Sequence, residues 1–246
     1  MGVARRRREA VTGGWVASPG RGPLALEATR RASPADGRPA VDGRRAVLLD
    51  RDGVLNATVP DPDSGLFESP LKLADVHLLP GVGAALRRLA DAGYVLACVS
   101  NQPVAAKGKT SVPELLALHE RVLALLAEEG VRLDASRLCP HHPDGVVAEL
   151  SGPCACRKPA AGMLLDVARA QGLDLRASWM LGDTDSDVQA GKTAGCRTVL
   201  VEYPLSAHKR LGGASPDFRA GDLADGVGQV LEHDSARSPA REERSS

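Results

Sequence analysis

The sequence predicts an α/β fold in which a mostly parallel sheet is covered by helices on both faces. Short aliphatic segments of strand length recur along the chain, and segments with helical spacing separate them. This alternation is typical of parallel sheets, because a helix usually makes the crossover from one strand to the next. We therefore expect a Rossmann-like, three-layer α/β/α domain over residues 45–233.

The predicted elements follow one another without an internal repeat. Short apolar segments predict strands over residues 46–49, 94–99, 179–181 and 198–201. Helical spacing predicts helices over residues 83–92, 113–129, 163–171, 185–194 and 222–232. Ser111 is a candidate cap for the second helix, and Pro113 lies near its first turn, where proline is tolerated.

Two carboxylates follow the first predicted strand. Asp50 and Asp52 precede Gly53, so they lie in a turn at the carboxyl end of that strand. Open α/β sheets place their active sites at this end. Two neighbouring carboxylates repel each other unless a metal ion or another cation offsets their charge. The alternative is an ordinary polar turn, and this motif alone does not decide between the two.

Three further polar motifs adjoin predicted elements. They are Ser100, Asn101 and Gln102 after the second strand, Arg157 and Lys158 before the third helix, and Asp183 and Asp187 after the third strand. Each has a simpler structural interpretation, since Ser and Asn favour turns and acidic residues suit a helix N-terminus. For each motif taken singly, the simpler interpretation is favoured.

In this order the four motifs resemble those of haloacid dehalogenase superfamily phosphatases, over about residues 47–203. The resemblance implies that Asp50 attacks phosphorus and forms an aspartyl-phosphate. It implies that Asp52 protonates the leaving oxygen and then takes a proton from the attacking water. Ser100 would donate a hydrogen bond to the transferring phosphoryl group, and Lys158 would bring positive charge to it.

The same resemblance implies a Mg²⁺ ion, which would offset the charges of the carboxylates and the phosphate. Its ligands would be the Asp50 side chain, the Asp52 backbone carbonyl and the Asp183 side chain. Asp187 would support the metal site without binding the ion directly. The segment 101–157 is too short for a large cap domain, so we expect a fairly open site.

A second cluster combines three thiols with an imidazole. Cys139 and His141 form one close pair, Cys154 and Cys156 form another, and turn-forming residues lie between them. A Cys₃His set fills all four positions of a tetrahedral zinc ion, which predicts a structural zinc site in the loop 139–156. The alternatives are a disulfide or unrelated reduced cysteines. A disulfide fits poorly with five cysteines and with no recognisable secretory signal.

This loop is similar to the zinc loop of D,D-heptose 1,7-bisphosphate phosphatases and of the related histidinol-phosphatases. In both, the loop ends in Cys-x-Cys-Arg-Lys-Pro, as residues 154–159 do here, and the long stretch 142–153 matches the heptose group. The resemblance implies a phosphorylated sugar substrate, bound by Asn101, Gln102 and Arg157. Residues 103–105, the long segment 57–70 and Thr184 depart from the heptose pattern.

Three functions therefore remain open. The first is hydrolysis of a sugar bisphosphate, and the second is hydrolysis of histidinol phosphate or another small phosphomonoester by the same fold. The third is a non-enzymatic, zinc-stabilised binding module. The complete set of Asp50, Asp52, Lys158 and Asp183 argues against the third, because a binding module has no use for it.

The ends of the chain differ in composition from its centre. Residues 1–45 contain ten arginines against four acidic residues, whereas the whole chain has a formal net charge of zero. We expect disordered segments at 1–44 and 234–246. A transit peptide and a nucleic-acid or lipid patch are alternatives for the first. No apolar run is long enough for a membrane helix, so we expect no membrane partner. We further expect a monomeric, cytoplasmic enzyme without a nucleic-acid partner.

Overall fold

The computed structural model describes residues 16–17, 22–27 and 43–237. The strands in these ranges are β1 (Val16–Ala17), β2 (Leu24–Glu27), β3 (Ala46–Leu49), β4 (Val59–Pro60), β5 (Phe67–Glu68), β6 (Val95–Asn101), β7 (Ala135–Cys139), β8 (Trp179–Gly182), β9 (Arg197–Val201) and β10 (Phe218–Ala220). The α-helices are α1 (Val82–Asp91), α2 (Val112–Glu128), α3 (Gly162–Gln171), α4 (Asp185–Ala194) and α5 (Leu223–Arg237). The first four helices lie within one residue of their predicted bounds.

Eight strands form one sheet in the order β1-β2-β7-β6-β3-β8-β9-β10. From β7 to β10 every neighbouring pair is parallel, and β1 and β2 are antiparallel. This confirms the predicted mostly parallel sheet. Within it, Leu49 of β3 lies opposite Cys98 of β6 and Leu181 of β8. The polar motifs that follow these three strands therefore meet at the carboxyl ends of the central strands.

Both faces of the sheet are covered by helices, as predicted. Val47 and Leu49 of β3 pack in one apolar cluster with residues of α1, α2 and α5. Leu48 packs in a second cluster with residues of α3 and α4. Successive side chains of a strand point to opposite faces, so a strand between two helix layers is typically apolar at consecutive positions. The fully buried run in β3 fits this pattern and leads directly into the turn that carries Asp50 and Asp52.

The predicted disorder of residues 1–44 is wrong for β2. This strand pairs with β7, and Leu24 lies opposite Leu138. Four residues are too few for a recognisable hydrophobic period, and the strand is held by main-chain pairing with a distant segment. The domain therefore includes residues ahead of the predicted boundary at 45. Apart from residues 16–17, 22–27, 43 and 44, the predicted arm, including its run of arginines, lies outside the described residues.

The predicted boundary at residue 233 also falls too early. Helix α5 continues to Arg237, and Asp234 accepts hydrogen bonds from the Tyr94 hydroxyl (2.5 Å) and from Trp179 Nε1 (3.2 Å). These partners come from distant parts of the sequence, so no local pattern indicates that the last turns of α5 are anchored. Residues 238–246 lie outside the described part of the chain.

None of the helices in the described ranges has the length and apolar character that a membrane span requires.

Candidate active site

Three carboxylates converge at the carboxyl ends of the central strands β3 and β8. Asp50 follows β3, Asp183 follows β8, and Asp187 lies in the first turn of α4. One oxygen atom from each lies within 4.8 Å of the others. The Asp50 amide donates a hydrogen bond to the Leu181 carbonyl (2.9 Å), which ties the turn after β3 to β8. The topology of the sheet thus brings together residues separated by more than a hundred positions.

These carboxylates form a site that can hold a cation. Burial raises the pKa of Asp183, and the neighbouring charges of Asp50 and Asp187 raise it further. Burial also raises the pKa of Asp50, in spite of the nearby Lys158 ammonium. Among the described residues, Asp183 Oδ1 is buried without a hydrogen-bond partner. A divalent cation with oxygen ligands would relieve both the repulsion and this unsatisfied atom.

Lys158 provides a buried positive charge beside the carboxylates. Its Nζ atom lies 3.0 Å from Asp50 Oδ1 and 2.5 Å from Asp187 Oδ1, and it donates a hydrogen bond to the Val99 carbonyl (2.7 Å). Burial would lower the pKa of Lys158, but Asp187 and Asp50 outweigh this effect and raise it. The side chain therefore remains protonated and is held in place on three sides.

Asn101 fixes the backbone of Lys158. The Lys158 amide donates to Asn101 Oδ1 (3.0 Å), and Asn101 Nδ2 donates to the Lys158 carbonyl (2.9 Å). The side-chain amide predicted to bind substrate is therefore engaged with the protein, although Asn101 lines the cleft. Ser100 is buried, and its hydrogen bond to Asp50 favours the ionised form of that carboxylate.

The Asp52 carboxylate is surrounded by hydrogen-bond donors. Arg51 contacts both of its oxygens, Gln102 Nε2 donates to Oδ2 (2.7 Å), Asn56 Nδ2 donates to Oδ1 (2.8 Å) and the Ser69 hydroxyl donates to Oδ2 (2.6 Å). Burial would raise the pKa of Asp52, but Arg51 and the other donors lower it overall. The structure thus holds Asp52 in its ionised form.

Gln102 belongs to this network. It is buried, and its Oε1 accepts a hydrogen bond from Arg51 (2.7 Å) while its Nε2 donates to Asp52 and Ser100. This placement differs from the substrate-binding role predicted from the sequence, because both ends of the side chain are used within the protein. Arg51 was not among the predicted site residues, and its position between two carboxylates in the sequence is the signal that indicates it.

The site opens into a cleft of about 630 Å³. The long segment 57–70 contains the β4–β5 hairpin, which forms one wall of the cleft. Several cations line the cleft in addition to Lys158: Lys72, Lys107, Lys109, Arg157 and Lys209. No local motif indicates that the four additional lysines converge, since they come from three segments that are distant in sequence, with Lys107 and Lys109 in the same loop. Lys109 and Lys209 are paired with carboxylates, so Lys72, Lys107 and Arg157 are the outer cations that can attract a second anionic group of a ligand.

The predicted metal-binding residues of the loop 139–156 also converge. Cys139 Sγ lies 3.7 Å from Cys154 Sγ and 3.2 Å from Cys156 Sγ, and Cys156 Sγ lies 3.3 Å from His141 Nδ1. Sulfur ligands of a tetrahedral zinc ion would lie roughly 3.8 Å apart, given Zn–S bonds of about 2.3 Å. The hydrogen bond from Cys156 lowers the pKa of the Cys139 thiol and raises the pKa of Cys156, so the two thiols are close enough to share a proton. This cluster can hold a metal ion.

The chain is similar to known phosphatases over most of its length. It is 40% identical over 198 residues to a D-glycero-D-manno-heptose-1,7-bisphosphate 7-phosphatase of Thermosynechococcus vestitus, covering 77% of this chain and 97% of that protein. A Yersinia pestis D-glycero-beta-D-manno-heptose-1,7-bisphosphate 7-phosphatase is 39% identical over 183 residues, covering 73% of this chain and 92% of the relative. A family model described as HAD-hydrolase-like matches residues 155–226. The chain belongs to the haloacid dehalogenase-like phosphatases.

A solved structure agrees with this assignment. The phosphatase superimposes with a TM-score of 0.64 on D,D-heptose 1,7-bisphosphate phosphatase from B. bronchiseptica, which was crystallised with magnesium and phosphate. The two chains are 33% identical, and the match covers 77% of this chain and 99% of the other. The predicted family and fold class are therefore confirmed.

The departures from the heptose pattern have structural roles in this phosphatase. Thr184 caps α4, where its hydroxyl (2.6 Å) and its amide (3.0 Å) both donate to Asp187 Oδ2. Asp187 thus bonds Thr184 with one oxygen and Lys158 with the other. Val104 and Ala105 are buried, and Val104 packs against Leu115 and Leu138.

Proposed function

We propose that this phosphatase hydrolyses a sugar bisphosphate, D-glycero-D-manno-heptose 1,7-bisphosphate, at its 7-phosphate. The observation that carries the proposal is the position of the buried Asp50–Lys158 pair at the base of a cleft with additional cations along its walls. The reacting phosphate would meet Asp50, and the second phosphate would lie among the outer cations. Two relatives at about 40% identity bear the name of this activity.

In the proposed reaction an Asp50 oxygen attacks phosphorus, and the bond between phosphorus and the sugar oxygen breaks. Asp52, which the surrounding donors keep ionised in the free protein, takes up a proton as the anionic substrate binds and delivers it to the departing oxygen. It then removes a proton from a water molecule, which attacks phosphorus and releases phosphate from Asp50. Lys158 and the Ser100 hydroxyl stabilise the negative charge of the phosphoryl group during both transfers.

Two metal ions complete the proposed enzyme. The Asp50 and Asp183 side chains, with the Asp52 carbonyl, would hold Mg²⁺, and Asp187 would orient the site through Lys158 and Thr184. When bound, Mg²⁺ neutralises charge on the phosphoryl oxygens and allows a carboxylate to approach them. A zinc ion held by the Cys₃His cluster would be structural, since the protein fills its four positions.

The proposed substrate is tested by measuring phosphate release across a panel of both anomers of the heptose bisphosphate, other sugar bisphosphates, the matching monophosphates and histidinol phosphate. We expect the highest kcat/KM with a heptose bisphosphate. Preferential turnover of histidinol phosphate would establish the second candidate function, which shares this fold and zinc loop.

Arg157 is expected to recognise the distal phosphate. Its guanidinium lines the cleft, and Nη1 donates to the His141 carbonyl (3.2 Å), so the zinc loop helps to hold it. Arg157→Ala should lower kcat/KM for the bisphosphate by roughly ten- to a hundredfold, the usual effect of losing a charge-assisted contact. The monophosphate should be affected much less. Arg169→Ala, which removes an exposed arginine of α3, is the control, and equal losses for both substrates in Arg157→Ala would argue against this role.

Zinc is expected at about one ion per chain, the number that one Cys₃His cluster can bind. Cys154→Ser should lower the zinc content and the melting temperature, because a ligand is lost from the loop that precedes Lys158. Cys196→Ala, which removes a buried thiol outside the cluster, should retain the metal. Metal analysis and thermal unfolding of both variants check this prediction, and a zinc-free wild type purified without chelators would contradict it.

A further inference from the structure

The tip of the β4–β5 hairpin forms ion pairs with the loop between β6 and α2, on another wall of the cleft. Asp61 and Asp63 lie in its turn, and Lys109 lies in the loop between β6 and α2. Lys109 Nζ is 2.6 Å from Asp61 Oδ2 and 2.9 Å from Asp63 Oδ2. Asp61 and Lys109 both line the cleft, so these ion pairs join two of its walls.

The turn that carries these carboxylates is internally braced. The Asp61 amide donates to the Leu66 carbonyl (2.7 Å), and the Gly65 amide donates to the Asp61 carbonyl (2.8 Å). Asp61 Oδ1 accepts a hydrogen bond from the Asp63 amide (3.0 Å), which leaves Oδ2 to contact Lys109. A turn braced in this way should respond as one unit to the position of Lys109.

The base of the hairpin is held by different partners. The Thr58 hydroxyl donates to the Tyr203 hydroxyl (3.3 Å), and Lys209 Nζ lies 2.8 Å from Glu68 Oε2. These contacts come from the segment after β9, on the other side of the central strands from the loop of Lys109. The tip and the base of the hairpin are therefore tied to different sides of the site.

We propose that Lys109 is a positioning residue that sets the width of the cleft by holding the tip of the hairpin. The inference rests on the proposed function, since it concerns the space that the distal part of a sugar bisphosphate would enter. The alternative is that Lys109 binds the distal phosphate directly. Two carboxylates already neutralise its charge, so its attraction for a further anion is weak, and this favours the positioning role.

The two roles predict opposite effects for Asp61→Asn. This substitution removes the charge but leaves Oδ1 able to shape the turn. If Lys109 positions the hairpin, Asp61→Asn and Lys109→Met should both raise KM for the sugar bisphosphate, by up to about fivefold for a partly exposed ion pair. The KM of the double variant should be no higher than that of Lys109→Met, because both substitutions break the same ion pair. A lower KM in Asp61→Asn would mean that the freed Lys109 binds phosphate, and would overturn the proposal.

Hydrogen exchange of the amides of residues 61–66 provides a readout that needs no substrate. We expect faster exchange in Lys109→Met and in Asp61→Asn. Exchange should be unchanged in Lys107→Met, because Lys107 lines the cleft on the same loop but makes no ion pair within the described residues. Unchanged exchange in Lys109→Met would overturn the positioning role. A wild type that does not hydrolyse sugar bisphosphates would instead overturn the proposed function.

Discussion

Replacing Asp50 with asparagine is expected to lower phosphate release by more than about a thousandfold, because an amide cannot serve as the nucleophile. The loss should be the same for sugar phosphates and for aryl phosphates, since every substrate needs the attacking carboxylate. Steady-state phosphate release with both substrate types measures this. Retention of more than a few per cent of wild-type kcat, or a phosphoryl-enzyme trapped on another residue, would contradict the assignment.

The fold of the Asp50→Asn variant should be intact. Lys158 keeps its contact with Asp187 (2.5 Å), so no buried cation is left without a partner. The substitution also removes one of three mutually repelling carboxylates, and burial already disfavours the ionised form of Asp50. In metal-free protein the melting temperature should therefore be unchanged or higher, and a large decrease would show that the lost activity reflects unfolding.

Replacing Lys158 with methionine is expected to affect both activity and stability. The Lys158 ammonium group is a buried cation that contacts Asp50 and Asp187. Its removal leaves the mutually repelling carboxylates of Asp50, Asp183 and Asp187 without this compensating charge. Loss of one partner of a buried ion pair costs about 3–5 kcal/mol of the free energy of unfolding. Phosphate release should also fall steeply, because the positive charge beside the phosphoryl group is gone.

Chemical denaturation at several pH values measures the stability loss in Lys158→Met. The deficit should shrink as the pH falls toward the ordinary aspartate pKa of 3.8, because proton uptake by carboxylates with raised pKa values favours the folded state. Added Mg²⁺ should recover part of it. Lys192→Met is the matched control, since its ion pair with Asp217 lies at the surface and should contribute less than about 1 kcal/mol. Equal losses in the two variants would contradict the buried network.

The sequence predicts the parts of the fold that local patterns determine. Strand β3 is recognisable because it is apolar at every position, and α2 because of its helical spacing and the candidate cap Ser111, which the structure confirms. Strand β7 escaped prediction because it carries Ser136 and Arg137. Ser136 bonds the buried His119 (2.9 Å), and Arg137 pairs with Asp166 of α3. Such partners are distant in sequence, so the polar residues of β7 resemble a loop until the fold is known.

In the candidate site, too, the sequence indicates the functional residues but not the contacts that hold them. The order of the motifs indicates that Asp50, Lys158 and Asp183 belong together, because each adjoins a predicted element. The partners that hold these residues are not predictable in this way. Asn101 pairs with the backbone of Lys158, and Ser69 reaches Asp52 from the hairpin, through contacts that depend on the packing of separate loops.

The antiparallel strand β2 has a consequence for how molecules of this phosphatase meet one another. Without it, β7 would be the last strand of the parallel sheet, and one side of its backbone would offer unpaired amide and carbonyl groups. Exposed strand edges of this kind recruit strands from other chains and promote aggregation. By occupying that side of β7, β2 moves this edge of the sheet to the two-residue strand β1, and a very short edge strand offers few groups for association. A chain shortened to begin at Gly43 would keep every residue of the candidate site and would lose this protection.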